Sequence, residues 1–418
     1  MAGVVGVHPR NPLEAAAEVK ADVTRLLSPG SSSCRFYWQD LPAGRRPEWV
    51  LAADGGNAQT DLEDGTAYVV KAWASRTGGP GFSDVRLAAA GVVMPPLNAE
   101  PRIALYRETL EAAAGLAVLG EGGGLVLMDG SITTAIKWWR PGFTRRLGEA
   151  WLSRALEKAE EALEEAYKRG VIGDLAPCGG DGCIEDLLSK AYRRPVSARL
   201  AMRLAAEGVY PRGDGRLHPL WWIVALEVSE KLLLYRMLLE EAWRRGATVA
   251  FVAKTSRSTS RCGGSTTDRH RIARAKPVEP GVAFWGEDSY VEGGYKILRL
   301  TGEGEGEEPG SLYPEVAGLN EFYERELATV EGYVRLSPGG PLLHLTVPVK
   351  AGNVERGLRE FWRAVEMLAS LPLTRGYPAP LAAAHMMARV RREELVAALP
   401  VMGLEGGRED RRVLREWG

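Results

Sequence analysis

Four cysteines among 418 residues are too few for a disulfide scaffold. Lysine is scarce too, at 11 against 42 arginines. Arginine's planar fork suits phosphates, although genome composition produces the same bias. Long apolar runs are missing. The most apolar stretch, Trp221 to Leu239, carries Glu227, Glu230, Lys231 and Arg236, too many charges for a helix in lipid. The opening MAGVVGVHPRNP has no basic start and no long apolar run, so no secretory signal and no membrane partner are expected, and the expected location is cytoplasmic. Neither sign of charge dominates, the net being −1. What is present, 45% apolar and 26% charged residues, is the composition of a globular protein and argues against global disorder.

Cys178 and Cys183 bracket Gly-Gly-Asp-Gly. They can form a loop disulfide, half a metal site, or two unpaired thiols in a turn. The last is the plainest, because no second Cys/His pair lies at zinc spacing.

Local patterning suggests strands at Trp49 to Ala53, Ala67 to Ala74 and Asp84 to Val93, a helix from Glu100 to Leu119, and a fourth strand from Leu125 to Met128. The middle reads as helices at Trp151 to Arg169, Ile184 to Ala206 and Leu217 to Arg245. Strands return at Thr248 to Ala253, Tyr295 to Leu300, Val330 to Leu336 and Leu342 to Val349. Two helices, Val354 to Leu371 and Pro380 to Leu399, follow. The expected division is an N-terminal extension (1–47), a core in two parts (48–140 and 247–401), a helical insertion between them (141–246), and a tail (402–418).

Two acidic turns stand out. Asp54-Gly-Gly and Asp129-Gly-Ser each follow a short apolar strand. A carboxylate at a strand's carboxyl end, beside glycine, is accessible to a ligand; a hairpin turn would use the same residues. Neighbouring strands would bring the two carboxylates together. The helix between offers Glu108 and Glu111. With Ile103, Tyr106, Leu110, Ala114 and Ala117 defining the apolar face at ~100° per residue, Glu111 falls at its boundary and Glu108 points to solvent. Glu111 is therefore the preferred third carboxylate and Glu108 the second choice.

Three strands, a helix and a strand, bearing Asp, Glu and Asp in that order, resemble the ribonuclease H-like layout: an α/β core with a mixed sheet flanked by helices, here with the helical insertion. Near the end, Tyr377-Pro-Ala-Pro-Leu-Ala-Ala-Ala-His385 places proline in the first turn of a helix and histidine inside it. With Asp54, the Arg107 to Glu111 spacing, Asp129 and Lys254-Thr-Ser, this segment resembles the NurA family, nucleases that work with the HerA helicase. The resemblance covers about Trp49 to Val401. It implies a metal-dependent DNA nuclease, endonucleolytic on single strands and 5′ to 3′ exonucleolytic on single strands and duplex ends. It implies a homodimer docking on a HerA-type hexameric helicase in end resection for recombinational repair. It implies Asp54, Glu111 and Asp129 as ligands of two Mn2+ or Mg2+ ions, with His385 as a further ligand or as the group that orients the scissile phosphate, and Tyr377 beside it in the catalytic set.

A basic stretch supports a polyanionic partner. Arg244 to Lys276 holds nine Lys/Arg against one acid, Asp268, with several Ser and Thr hydroxyls suited to phosphate oxygens. Lys254, Arg257 and Arg261 are its candidate DNA contacts, although a solvated basic loop has the same composition. Trp138 and Trp139 either stack on unpaired bases or pack in the core. Actin-like sugar kinases and ATPases, which use Asp-Gly turns as phosphate loops, and a non-catalytic DNA clamp are the alternatives. No Gly-x-Ser-x-Gly nucleophile turn favours a serine hydrolase.

Overall fold

Strands buried on both faces read as near-continuous small or branched apolar runs, and the segments around Trp49, Ala67 and Thr248 do so. In a computed structural model, residues 34–63, 65–79, 81–93, 99–135, 220–256, 258–259, 261–262, 266–276, 278–293 and 321–404 are described. Their strands are β1 (Tyr37–Gln39), β2 (Trp49–Asp61), β3 (Thr66–Gly78), β4 (Ser83–Val93), β5 (Leu125–Asp129), β6 (Thr248–Ala253), β7 (Gly281–Phe284), β8 (Tyr290–Glu292), β9 (Leu327–Arg335) and β10 (Leu343–Lys350). All ten join one sheet in the order β1-β7-β9-β10-β6-β5-β2-β3-β4, with β8 beside β9. A two-residue ribbon pairs β11 (Leu373–Thr374) with β12 (Tyr377–Pro378).

The sheet is mixed. β2, β3 and β4 form an antiparallel meander, and β2, β5 and β6 run parallel. The order β4-β3-β2-β5-β6, with a helix between β4 and β5, is the ribonuclease H-like arrangement expected.

Helices cover both faces. α1 (Ala99–Ala117) and α3 (Leu220–Arg244) pack with Leu51, Ala53, Val126 and Met128. α5 (Val354–Ala369) and α6 (Ala379–Ala388) pack with Val50, Ala52, Leu125 and Leu127. α2 (Ile132–Ala135) is a single turn, α4 (Asp268–Ala275) follows β6, and α7 (Arg392–Val401) closes the described chain. Side chains alternate across a strand, so odd positions of β2 face α1 and even positions face α6.

The structure departs from the sequence reading in three places and adds one covalent contact. Asp54-Gly-Gly is not a turn: β2 continues to Asp61, with Gly55 and Gly56 paired to Ala72 and Lys71. A phosphate loop of the kinase kind is therefore not formed there. The single helix expected from Pro380 to Leu399 is two, because Arg389 and Arg391 are extended and the Arg391 N–H donates to Glu394 to start a new helix. Glu108 is buried, since α3 lies over the side of α1 that a helical wheel assigns to solvent. Cys34 and Cys262, 228 residues apart, form a disulfide that no local spacing announces. Cys178 and Cys183, the helices expected between 151 and 206, and the strand expected at 295–300 lie outside the described residues. Among the described residues, no helix is long and apolar enough to cross a membrane.

A cross-link over so long a loop restricts mainly the unfolded chain and is worth about 2–4 kcal/mol. Cys262→Ser should lower Tm by several degrees in scanning calorimetry. Dithiothreitol should do the same to the wild type and nothing more to the variant.

Candidate metal centre

Strand register assembles the site. β2 and β5 are parallel with Ala53 opposite Met128, so Asp54 and Asp129, one residue further along each, stand side by side. Both are in even-face register with Ala52 and Leu127, toward α6. α6 then supplies His385, whose Nδ1 lies 2.8 Å from Asp54 Oδ2. With Nδ1 engaged, Nε2 is the nitrogen left to face a ligand, and the side chain is 58% exposed. Asp54, Asp129 and His385 each place a ligand atom within 4.8 Å of the others. Two carboxylates and an imidazole are a donor set for a divalent transition metal.

The second rank of contacts orients Asp129. Tyr377, delivered by β12 immediately before α6, donates its hydroxyl to Asp129 Oδ1 at 3.0 Å. Lys254, just past β6, stands 3.7 Å from Asp129 Oδ2 and 4.2 Å above the Tyr377 ring. Both oxygens of Asp129 are thus engaged by the protein.

Glu111 arrives from the other face. It belongs to α1, and a Cβ at Gly55 would lie 2.5 Å from its Oε1. A glycine inside a strand commonly marks such close approach. Gly56, one position on and facing the other way, is needed for the same reason, since its Cβ would meet the Ala388 carbonyl of α6 at 2.3 Å. Glu111 pairs with Arg107, Nε to Oε1 3.1 Å. The three closely grouped donors are therefore Asp54, Asp129 and His385, while Glu111 lies beneath Gly55 against an arginine.

Electrostatics favour a cation here. Burial raises the Asp54 carboxyl above its ordinary range and the neighbouring Asp129 charge adds to this, opposed by His385 and the Gly55 N–H. Burial likewise raises Glu111, with Arg107 opposing and Asp54, Glu108 and Asp129 reinforcing. Tyr377 is pushed well up, by burial and then by Asp129, so its hydroxyl stays protonated and a donor.

The remaining candidates are spread out. Glu108 is held by Arg107 and by Lys231 of α3. Arg261 donates to the Asp288 carbonyl at 2.6 Å, lies 3.8 Å from Glu331 and sits over Trp285, so protein partners already occupy its guanidinium. Arg257, Trp138 and Trp139 lie outside the described residues. Sequence reasoning missed Lys231 and the packing role of the two glycines. The signals were a Gly-Gly pair interrupting an apolar strand and the four-residue spacing of Glu227 and Lys231 on a helix.

The NurA domain family model matches residues 48–390, most of the chain. The chain belongs to the NurA family. Solved structures agree at the level of fold. The NurA nuclease from Sulfolobus solfataricus superposes with a TM-score of 0.54 at 16% identity, over 95% of this chain and 97% of that one. NurA with manganese gives 0.54 at 17%, over 96% and 99%. NurA bound to dAMP and manganese gives 0.55 at 16%, over 95% and 96%. No curated protein matches the chain.

Because the Asp54 carboxyl is raised above its ordinary 3.8, its folded-state contribution is most favourable at acid pH. That contribution is lost as pH rises through the elevated value. In EDTA, the wild type should lose more stability than Asp54→Asn as pH rises from about 4 to neutrality. A divalent cation should raise Tm of the wild type at pH 8 and leave the variant nearly unchanged, as read by thermal melts.

Proposed function

We propose that this NurA-family chain is a Mn2+-dependent DNA nuclease, with Mg2+ as the weaker alternative. The observation that carries the reading is the Asp54, Asp129 and His385 set, its ligand atoms within 4.8 Å. Its support is the family match together with relatives described with manganese and with dAMP. Asp54, Asp129 and His385 would hold a first ion. Glu111, across Gly55, would complete a second position. When bound, such ions neutralise charge on the scissile phosphate and make water a stronger nucleophile.

The chain's own residues do the rest. Asp54 fixes the His385 ring, so that Nε2 faces outward. Tyr377 keeps Asp129 in one orientation through a hydroxyl that burial keeps protonated. Lys254, partly exposed beside Asp129, offers its ammonium to a non-bridging phosphate oxygen, a contact that does not depend on base sequence. Attack by water at phosphorus then forms a P–O bond and breaks the P–O3′ bond, leaving a 5′-phosphate and a 3′-hydroxyl that takes up a proton from solvent. Endonuclease action on single strands, 5′ to 3′ digestion of single strands and duplex ends, a homodimer, and a HerA-type hexameric helicase as partner in end resection complete the proposal. These rest on the family resemblance.

Purified protein should degrade a labelled single-stranded oligonucleotide in Mn2+ and be inert in EDTA. Asp54→Asn and Asp129→Asn should each lower the rate by at least ~100-fold, as expected when a metal-bearing electrostatic site loses a ligand. Activity surviving both substitutions would remove the site assignment. ATP hydrolysis without DNA cleavage would replace the nuclease reading with a kinase-like one. Digestion of 5′- and 3′-labelled strands reads the polarity directly, and co-purification with a HerA-type helicase tests the partner.

A further inference from the structure

The interface between α1 and α3 carries buried charge beside its apolar contacts. Arg102 forks onto Glu227, its Nε 3.0 Å from Oε2 and its Nη2 2.7 Å from Oε1, and the Tyr106 hydroxyl donates to the same carboxylate. One turn further along α3 and nearly two along α1, Lys231 Nζ lies 3.4 Å from Glu108 Oε2. The other Glu108 oxygen lies 3.3 Å from Arg107 Nη2, and Arg107 Nε lies 3.1 Å from Glu111 Oε1. The side chains of Lys231, Glu108 and Glu111 are 2%, 10% and 7% exposed, and that of Arg107 is 31% exposed. Charges therefore alternate from α3 to the edge of the metal centre: Lys231, Glu108, Arg107, Glu111.

We propose that Lys231 is a positioning residue for Glu111, acting through Glu108 and Arg107. Arg107 has two carboxylate partners and one guanidinium. Lys231 neutralises the Glu108 oxygen that Arg107 does not reach, so Glu108 does not draw the guanidinium away from Glu111. Without Lys231, a buried carboxylate is left short of positive charge, which is costly, and Arg107, already 3.3 Å from Glu108, is the neighbouring cation placed to answer it. Arg107, the one partly exposed member, is the cation free to shift, and Glu111 would move with it from its place under Gly55. A helix more than 100 residues away in sequence thus sets the geometry of a site carboxylate. The inference rests on Glu111 serving the proposed metal centre, where partners of ligands typically tune affinity ~10–100-fold.

The test compares Lys231→Met, Lys231→Arg and the double variant Lys231→Met/Glu108→Gln. Mn2+ binding is measured by calorimetry on the protein without DNA, and kcat and KM on a single-stranded oligonucleotide. Lys231→Met should weaken the Glu111-dependent part of Mn2+ binding and lower kcat, each by ~10-fold or more, with KM within ~2-fold. Lys231→Arg should restore both. The double variant, which removes the bare carboxylate along with its partner, should recover most of the loss. Should Lys231→Met fail to fold, Lys231→Gln, with a polar head of similar reach, takes its place. A folded variant with a lower Tm but unchanged Mn2+ binding and kcat would overturn the proposal, leaving Lys231 merely structural. So would a double variant as impaired as the single one. Asp54→Asn, measured in parallel, separates this failure from that of the nuclease reading. If it remains active, the metal centre itself is misassigned.

Discussion

Parallel pairing of β2 with β5 sets two carboxylates abreast, and the rest of the site answers their repulsion. Neither Asp54 nor Asp129 can move away, because each is fixed by strand register on a sheet whose faces are both covered. Protein groups answer part of the negative charge: His385 on Asp54, and Tyr377 with Lys254 on Asp129. These contacts hold the oxygens in place without cancelling the cost of charging them, and Asp54 stays raised above its ordinary range. A site that is costly without a cation and ordered before one arrives is preorganised for electrostatic work.

The same strand carries the second constraint. Asp54, Gly55 and Gly56 alternate between faces. The aspartate turns toward α6, the first glycine makes room for Glu111 of α1, and the second makes room for the end of α6. Any side chain at either glycine would push a helix off the sheet, at Glu111 of α1 or at the Ala388 carbonyl of α6. The glycines thus matter for their missing Cβ atoms, because neither has a positive φ.

Much of this was legible in sequence, and what was not has a common cause. The strand and helix order, the two aspartates and the Tyr377 to His385 segment are local signals, carried by apolar runs and by motif spacing. Two readings failed, and one contact went unread, where the deciding neighbour is distant in sequence. Asp-Gly-Gly looks like a turn until β3 is seen pairing with it through Asp61. Glu108 looks solvated until α3 is laid over α1. Cys34 and Cys262 look unrelated until β1 is placed beside β7, near the segment that carries Cys262. A helical wheel shows where the apolar face lies, yet it says nothing about a second layer that covers the polar one.

That second layer explains why α1 can be buried almost all round while carrying five charges, Glu100 in its first turn among them. Arg102 and Arg107 are matched on α1 and α3 by Glu108, Glu111 and Glu227, and Lys231 brings the count to three cations against three carboxylates. A buried interface tolerates ions when they are paired and hydrogen-bonded, so neutrality here is a condition of folding. Its consequence reaches the site. Because the helix pair balances its own charge, the excess that remains on the two central strands belongs to Asp54 and Asp129. The attraction for a cation is thereby concentrated where the two strands end their parallel pairing, and not spread along the helix that carries Glu111.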